Sequence, residues 1–149
     1  MSFRTLTDRE WYFTQQDSDV LATYNFTKVI ETLENQESYT CYHLDGQSAI
    51  VEDYLKVLPH MRERMGNLVA DKRLFIGPWY TQTDTYNVAG ESIIRNLKYG
   101  MHIAEQLGHS MQVAICQIPL VTMRRCRPCS KARASTTSSS GVVLIMTSR

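Results

Sequence analysis

The chain has 149 residues, 43% hydrophobic and 21% charged, ordinary composition for one globular domain with a real core. No apolar run reaches the roughly 18 residues that cross a bilayer and no signal-peptide core opens the chain, so no membrane partner and a cytoplasmic location are expected. The net charge of +1 hides a division: residues 114–149 hold six Lys or Arg and no Asp or Glu, leaving 10 basic against 15 acidic residues before them.

After MSFRTLT comes a run of aromatic and charged residues, DREWYFTQQDS. Across residues 20–33, Val20, Leu21, Tyr24, Val29, Ile30 and Leu33 recur at spacings of three, four and seven, which predicts an amphipathic helix. YTCYHLDG at residues 39–46 reads as a strand closed by an Asp45-Gly46 turn, with Cys41 expected as a small buried hydrophobe. A second helix follows over residues 47–59, carrying Ile50, Val51, Tyr54 and Leu55 and stopped by Pro59. Residues 60–71 predict a third, with Arg62, Glu63 and Arg64 toward water.

RLFIGPWY at residues 73–80 is an apolar run broken by Gly77-Pro78, again a strand ending in a loop. The strongest helical pattern spans residues 91–107, with Ile93, Ile94, Leu97, Met101, Ile103 and Leu107 near one face and Gly108 as the stop. Met111, Gln112 and Val113 open what reads as a third strand. This alternation is the grammar of a parallel α/β sheet or barrel, whose chemistry sits in the loops after the strands.

Beyond Val113 the period is lost, and the Ser-, Thr- and Arg-rich run RRCRPCSKARASTTSSSG predicts a disordered C-terminal tail. Cys126 and Cys129 have zinc-knuckle spacing, but a structural zinc site needs a second ligand pair. Arg124, Arg125, Arg127, Lys131 and Arg133 cluster in the same tail, so a small basic nucleic-acid-binding or CxxC zinc-binding module is the alternative reading. The tail offers no aromatic stacking platform, and no nucleic acid or membrane partner is expected.

DREWYFTQQDS, YHLDGQSAIVEDYL, FIGPWYTQTDT and ESIIRNLKYGM, in this order and at these spacings, closely resemble the N-terminal catalytic domain of glycoside hydrolase family 38, the zinc-dependent α-mannosidases, on the bacterial branch that includes mannosylglycerate hydrolase. The resemblance covers residues 8–113. It implies the N-terminal part of an α/β barrel, incomplete here, and a retaining hydrolysis of α-mannosides, with a mannoside as partner and zinc as cofactor in the intact family. An open sheet edge in so partial a barrel would favour aggregation or self-association.

The family's site begins with a motif of the type H-x-H-W-D-R-E-W, whose second His and whose Asp bind the metal. Here it reads RTLTDREW: Asp8 is kept as the metal residue, but Leu6 stands where the His belongs and has no lone pair to give. A later motif of the type G-Y-L-P-D-S-F-G-H supplies the nucleophile. After Val113 the chain reads AICQIPLVT instead, so no catalytic residue is assigned and tight zinc binding is not expected.

One displacement of reading frame accounts for both departures. GGC TAT TTG CCA GAT TCC TTT GGT CAC encodes the second motif, and one base late it encodes Ala-Ile-Cys-Gln-Ile-Pro-Leu-Val-Thr, which is residues 114–122. TTSSSGVVL relates in the same way to D-N-F-I-V-W-R-G-I, and MSFRTLT to H-V-I-S-H-T-H-W. Residues 1–7 and 114–149 are therefore expected to be out-of-frame products around an in-frame body of residues 8–113.

Trp11 matches the family's aromatic that stacks on the sugar at the cleavage subsite, a Trp face suiting the C–H side of a pyranose; its plain structural reading is core. Asp84 follows a predicted strand on the face where such folds do chemistry and is expected among the substrate-binding residues, against the plain reading of a turn cap. Asp45 and Asp53 are less well placed. His43, His60, His102 and His109 lie on different elements without ligand spacing, and none is assigned a role.

Overall fold

The computed structural model describes residues 2–5, 14–44, 47–83, 87–116, 133–136 and 142–145. The elements run β1 (Ser2–Thr5), α1 (Gln15–Asn35), β2 (Cys41–Leu44), α2 (Ser48–Val57), α3 (Met61–Ala70), β3 (Leu74–Ile76), α4 (Gly90–Glu105), β4 (Val113–Cys116), β5 (Arg133–Thr136) and β6 (Val142–Ile145). β1, β2 and β3 form a parallel sheet in that order, with Ser2 beside Cys41 and Tyr42 beside Leu74.

Strand alternation divides the sheet into two unequal faces. Tyr42, Leu44, Leu74 and Ile76 join Phe26, Ile30 and Leu33 of α1, Val51, Tyr54 and Leu55 of α2, and Met65, Leu68 and Val69 of α3 in one core. Cys41, His43 and Phe75 take the opposite face and are half-buried, Cys41 Sγ lying 3.6 Å from His43 Nε2. Cys41 is thus not the core residue that its apolar surroundings suggest, because Tyr42 and Leu44 hold the helix side.

α1 begins five residues before its apolar period does. Thr14 and Asp17 form a capping box, Thr14 Oγ1 accepting from Asp17 N–H and Asp17 Oδ2 accepting from Thr14 N–H. The face it buries also differs from the expected one. Ser18, Ala22, Phe26, Ile30 and Leu33 point inward, whereas Val20 (69% exposed), Tyr24 (63%) and Leu21 (39%) face water. α1 has apolar residues on two sides, and the row carrying Phe26 and Ile30 fits the floor formed by Tyr54 and the sheet. Phe26 meets the Tyr54 ring edge-on at 5.3 Å.

α3 ends in a Schellman turn, with Arg73 N–H donating to Leu68 O (2.9 Å) and Lys72 N–H to Val69 O (3.1 Å). Lys72 supplies its left-handed residue at φ 56°, where glycine is usual. Across the bundle, Arg64 binds both carboxylate oxygens of Glu34, joining α3 to α1.

The expected third strand of the parallel sheet does not join it. Met111 N–H donates to Ile76 O at 2.9 Å, so the chain after α4 does return to the β3 edge. The next rung of a parallel ladder would need the N–H of residue 78, which is Pro78 and has none. β4 instead pairs antiparallel with β6, Val113 beside Ile145, and β6 pairs antiparallel with β5. The tail, in which composition predicts no regular structure, thus contributes two short strands. Val142-Val143-Leu144-Ile145 is a run of strand-favouring residues inside it.

Candidate functional site

In a parallel sheet the loops at the carboxyl ends of the strands carry the chemistry, and β3 leads into such a loop. It is held from three sides. The first turn of α2 donates backbone N–H groups to it, Ser48 N to Trp79 O (3.1 Å) and Ala49 N to Tyr80 O (3.0 Å). The Ser48 hydroxyl, fully buried, lies 3.3 Å from Gly77 O and 3.2 Å from Gly100 O, bridging the loop to α4.

From the other side Asn96 of α4 uses both ends of its amide. Its Oδ1 accepts from Tyr80 N–H (2.9 Å) and Thr81 N–H (3.3 Å), and its Nδ2 donates to Thr81 O (2.8 Å) and Thr81 Oγ1 (3.1 Å). Tyr80 completes the frame, its hydroxyl donating to Glu52 Oε2 at 3.0 Å and its ring meeting Tyr99 edge-on at 4.7 Å.

Beneath the loop Trp79 is 2% exposed and packs with Ile93 and Leu97. Gly100 allows α4 to approach this closely: a Cβ there would lie 2.3 Å from Pro78 O and 2.4 Å from both Trp79 C and Tyr80 N. At the far end of the loop Thr83 Oγ1 is buried, with no hydrogen-bond partner among the described residues.

Asp84, next to Thr83, lies outside the described residues, as do Asp8, Trp11 and Asp45. The described part of the loop ends at Thr83. Asp53 sits on α2, nearly buried, with Lys56 Nζ at 3.2 Å from its Oδ1. His43 stacks on Phe75 at 4.9 Å, and Phe75 meets His109 edge-on at 5.8 Å. His102 is close to Gln106 on the exposed side of α4, Nε2 to Nε2 3.1 Å. Among the described residues no three His, Cys, Asp or Glu side chains come together as a zinc centre requires.

The Glu34 carboxyl is held below its ordinary range by the Arg64 guanidinium bonded to it. Burial pushes the Tyr54 hydroxyl up, partly offset by its hydrogen bond with Thr27. Glu34 lies on α1 and Tyr54 on α2, and neither contacts the β3 loop through a hydrogen bond among the described residues.

Residues 5–118 match the N-terminal domain of glycosyl hydrolases family 38. The chain belongs to glycosyl hydrolase family 38. A protein of Halalkalibacterium halodurans, provisionally named a mannosylglycerate hydrolase, is 30% identical over 105 residues, 70% of this chain and 12% of that protein. An alpha-mannosidase from Enterococcus faecalis V583 superposes with a TM-score of 0.69 at 31% identity over 73% of this chain. A second Enterococcus faecalis protein of glycosyl hydrolase family 38 does so with a TM-score of 0.66 at 28% identity over 76%. The chain spans 12% to 13% of the length of these relatives.

In this family-38 chain the loop from Gly77 to Thr83 and its clamp are the best-defined part of the candidate site. Spacing alone could not find Ser48 or Asn96, since their side-chain bonds to the loop span 15 to 29 residues of sequence.

Proposed function

We propose that this chain is the N-terminal portion of the catalytic domain of a retaining α-mannosidase, and that by itself it is inactive. The observation that carries the reading is the family match over residues 5–118, set beside Leu6 and AICQIPLVT where the family's metal-binding His and nucleophile belong. The substrate of the intact enzyme would be a small phosphorylated or glycerate-linked mannoside, or a glycan. Retention needs two carboxyl groups about 5 Å apart, one attacking the anomeric carbon and one protonating the leaving oxygen. Trp11 and Asp84 would contact sugar, and Asp8 would be the remaining metal residue, too little to hold zinc tightly.

The frame displacement belongs to the same proposal. Loss of the apolar period after Val113, where the out-of-frame reading begins, supports it. Two measurements test the proposal. With an aryl α-mannoside the purified chain should show no turnover above background and no stoichiometric zinc; turnover with one bound zinc overturns the inactivity. Resequencing should recover His-Val-Ile-Ser-His-Thr-His-Trp before Asp8 and Gly-Tyr-Leu-Pro-Asp-Ser-Phe-Gly-His after Val113 in neighbouring frames; a gene with neither removes the displacement.

A further inference from the structure

The outward side of α1 carries a regular seam. Asp17, Leu21, Tyr24, Lys28 and Glu31 follow one another at spacings of four, three, four and three, the heptad spacing of helices that pack side by side. Its direction is opposite to the row Ala22, Phe26, Ile30 and Leu33 that faces the core. Leu21 and Tyr24 form its apolar middle. Val20 and Val57 of α2 flank it, 69% and 52% exposed, beside a groove of about 530 Å³ that Thr23 and Thr27 also line.

The charges on the seam fix what it can meet. Asp17 lies above the apolar middle and Lys28 below it, each one turn away. Two copies of α1 packed in parallel would set Asp17 against Asp17 and Lys28 against Lys28. Packed antiparallel about a two-fold axis, the same seam sets Leu21 level with Tyr24 of the other copy and Asp17 level with its Lys28, twice over. Lys28 pairs in its own chain with Glu31 at 3.1 Å, an exposed pair that costs little to exchange. We infer that α1 is a self-association surface, whose occupant is α1 of a second copy of this chain in antiparallel orientation.

One helix seam buries less than the roughly 1,200 Å² of a stable complex, so the dimer is weak, forming at about 0.1–1 mM chain. The inference is independent of any enzymatic role. Sedimentation equilibrium of the full chain up to about 1 mM tests it. The parent should form reversible dimers, and Tyr24→Lys and Leu21→Glu should each raise the dissociation constant at least about tenfold. Both positions are exposed, and circular dichroism should show unchanged helix content.

An equimolar mixture of the two variants should associate more tightly than either alone, because one Leu21–Tyr24 layer is then intact and the other becomes a Lys–Glu pair. Lys28→Glu should weaken the dimer, where a parallel pairing would leave it unchanged. The inference is overturned by a chain that stays monomeric throughout, by association indifferent to Tyr24→Lys, or by a mixture no tighter than its components. Indifference to Tyr24→Lys would place the contact elsewhere, for instance on the half-bare side of the parallel sheet.

Discussion

The loop leaving β3 and the segment returning to β3 lie at the same sheet edge and end differently. The loop is fixed by α2 amides, the Ser48 hydroxyl and both ends of the Asn96 amide, over a buried Trp79. Among the described residues the returning segment makes one backbone bond to the sheet, Met111 to Ile76, and then pairs with β6. Proximity to a sheet is therefore not enough to hold a chain. Where several backbone groups find partners the chain is held, and where Pro78 withholds a donor from the returning segment that segment leaves.

The sharpest way to break the contrast is Gly100→Ala. The added carbon would overlap backbone atoms of residues 78–80, which cannot swing aside as a side chain can. A loss of about 3 kcal/mol or more is expected, read as a fall in thermal or urea midpoint. An unchanged midpoint would mean that α4 does not press on the loop.

Asn96→Ala should cost less, about 2 kcal/mol, since it leaves the Tyr80 and Thr81 amides without their acceptor while the α2 bonds remain. Hydrogen exchange at those two amides should accelerate, and exchange at Met111 should not. Equal acceleration at both places would dissolve the distinction between the two regions.

Smallest is the scaffold pair behind both. Glu34 has its pKa lowered by Arg64, so the stability it adds is present above the ordinary carboxylate range and lost as pH falls through the lowered value. Because the pair is partly exposed, Glu34→Gln should cost less than about 1 kcal/mol near neutral pH. The variant and parent should converge in acid. A gap that widens on acidification would contradict the assignment.

The elements were legible to within a few residues wherever an apolar period met a clear stop, as with Pro59 after α2 and Gly108 after α4. The errors have physical causes. The start of α1 is set by the Thr14–Asp17 box, a polar signal that an apolar period does not register. Its inward face was misread because Val20 and Tyr24 are as apolar as the residues that won the core, and only the shape of the opposite surface decides between them. Of the candidate site, the strand-to-loop geometry before Asp84 could be read from the sequence. The clamp of Ser48 and Asn96 could not, for it consists of contacts between distant stretches of chain.

Pro78 has a consequence for how molecules of this chain can stack. A β-sheet with a free edge is a template on which further strands can be laid, the first step toward fibrils. β3 is only three residues long, and past Ile76 its edge offers an imide nitrogen with no proton. A foreign strand running along it would lose its next anchor where Met111 loses its own. Pro78 thus works as a guard against runaway strand addition at that end of the sheet.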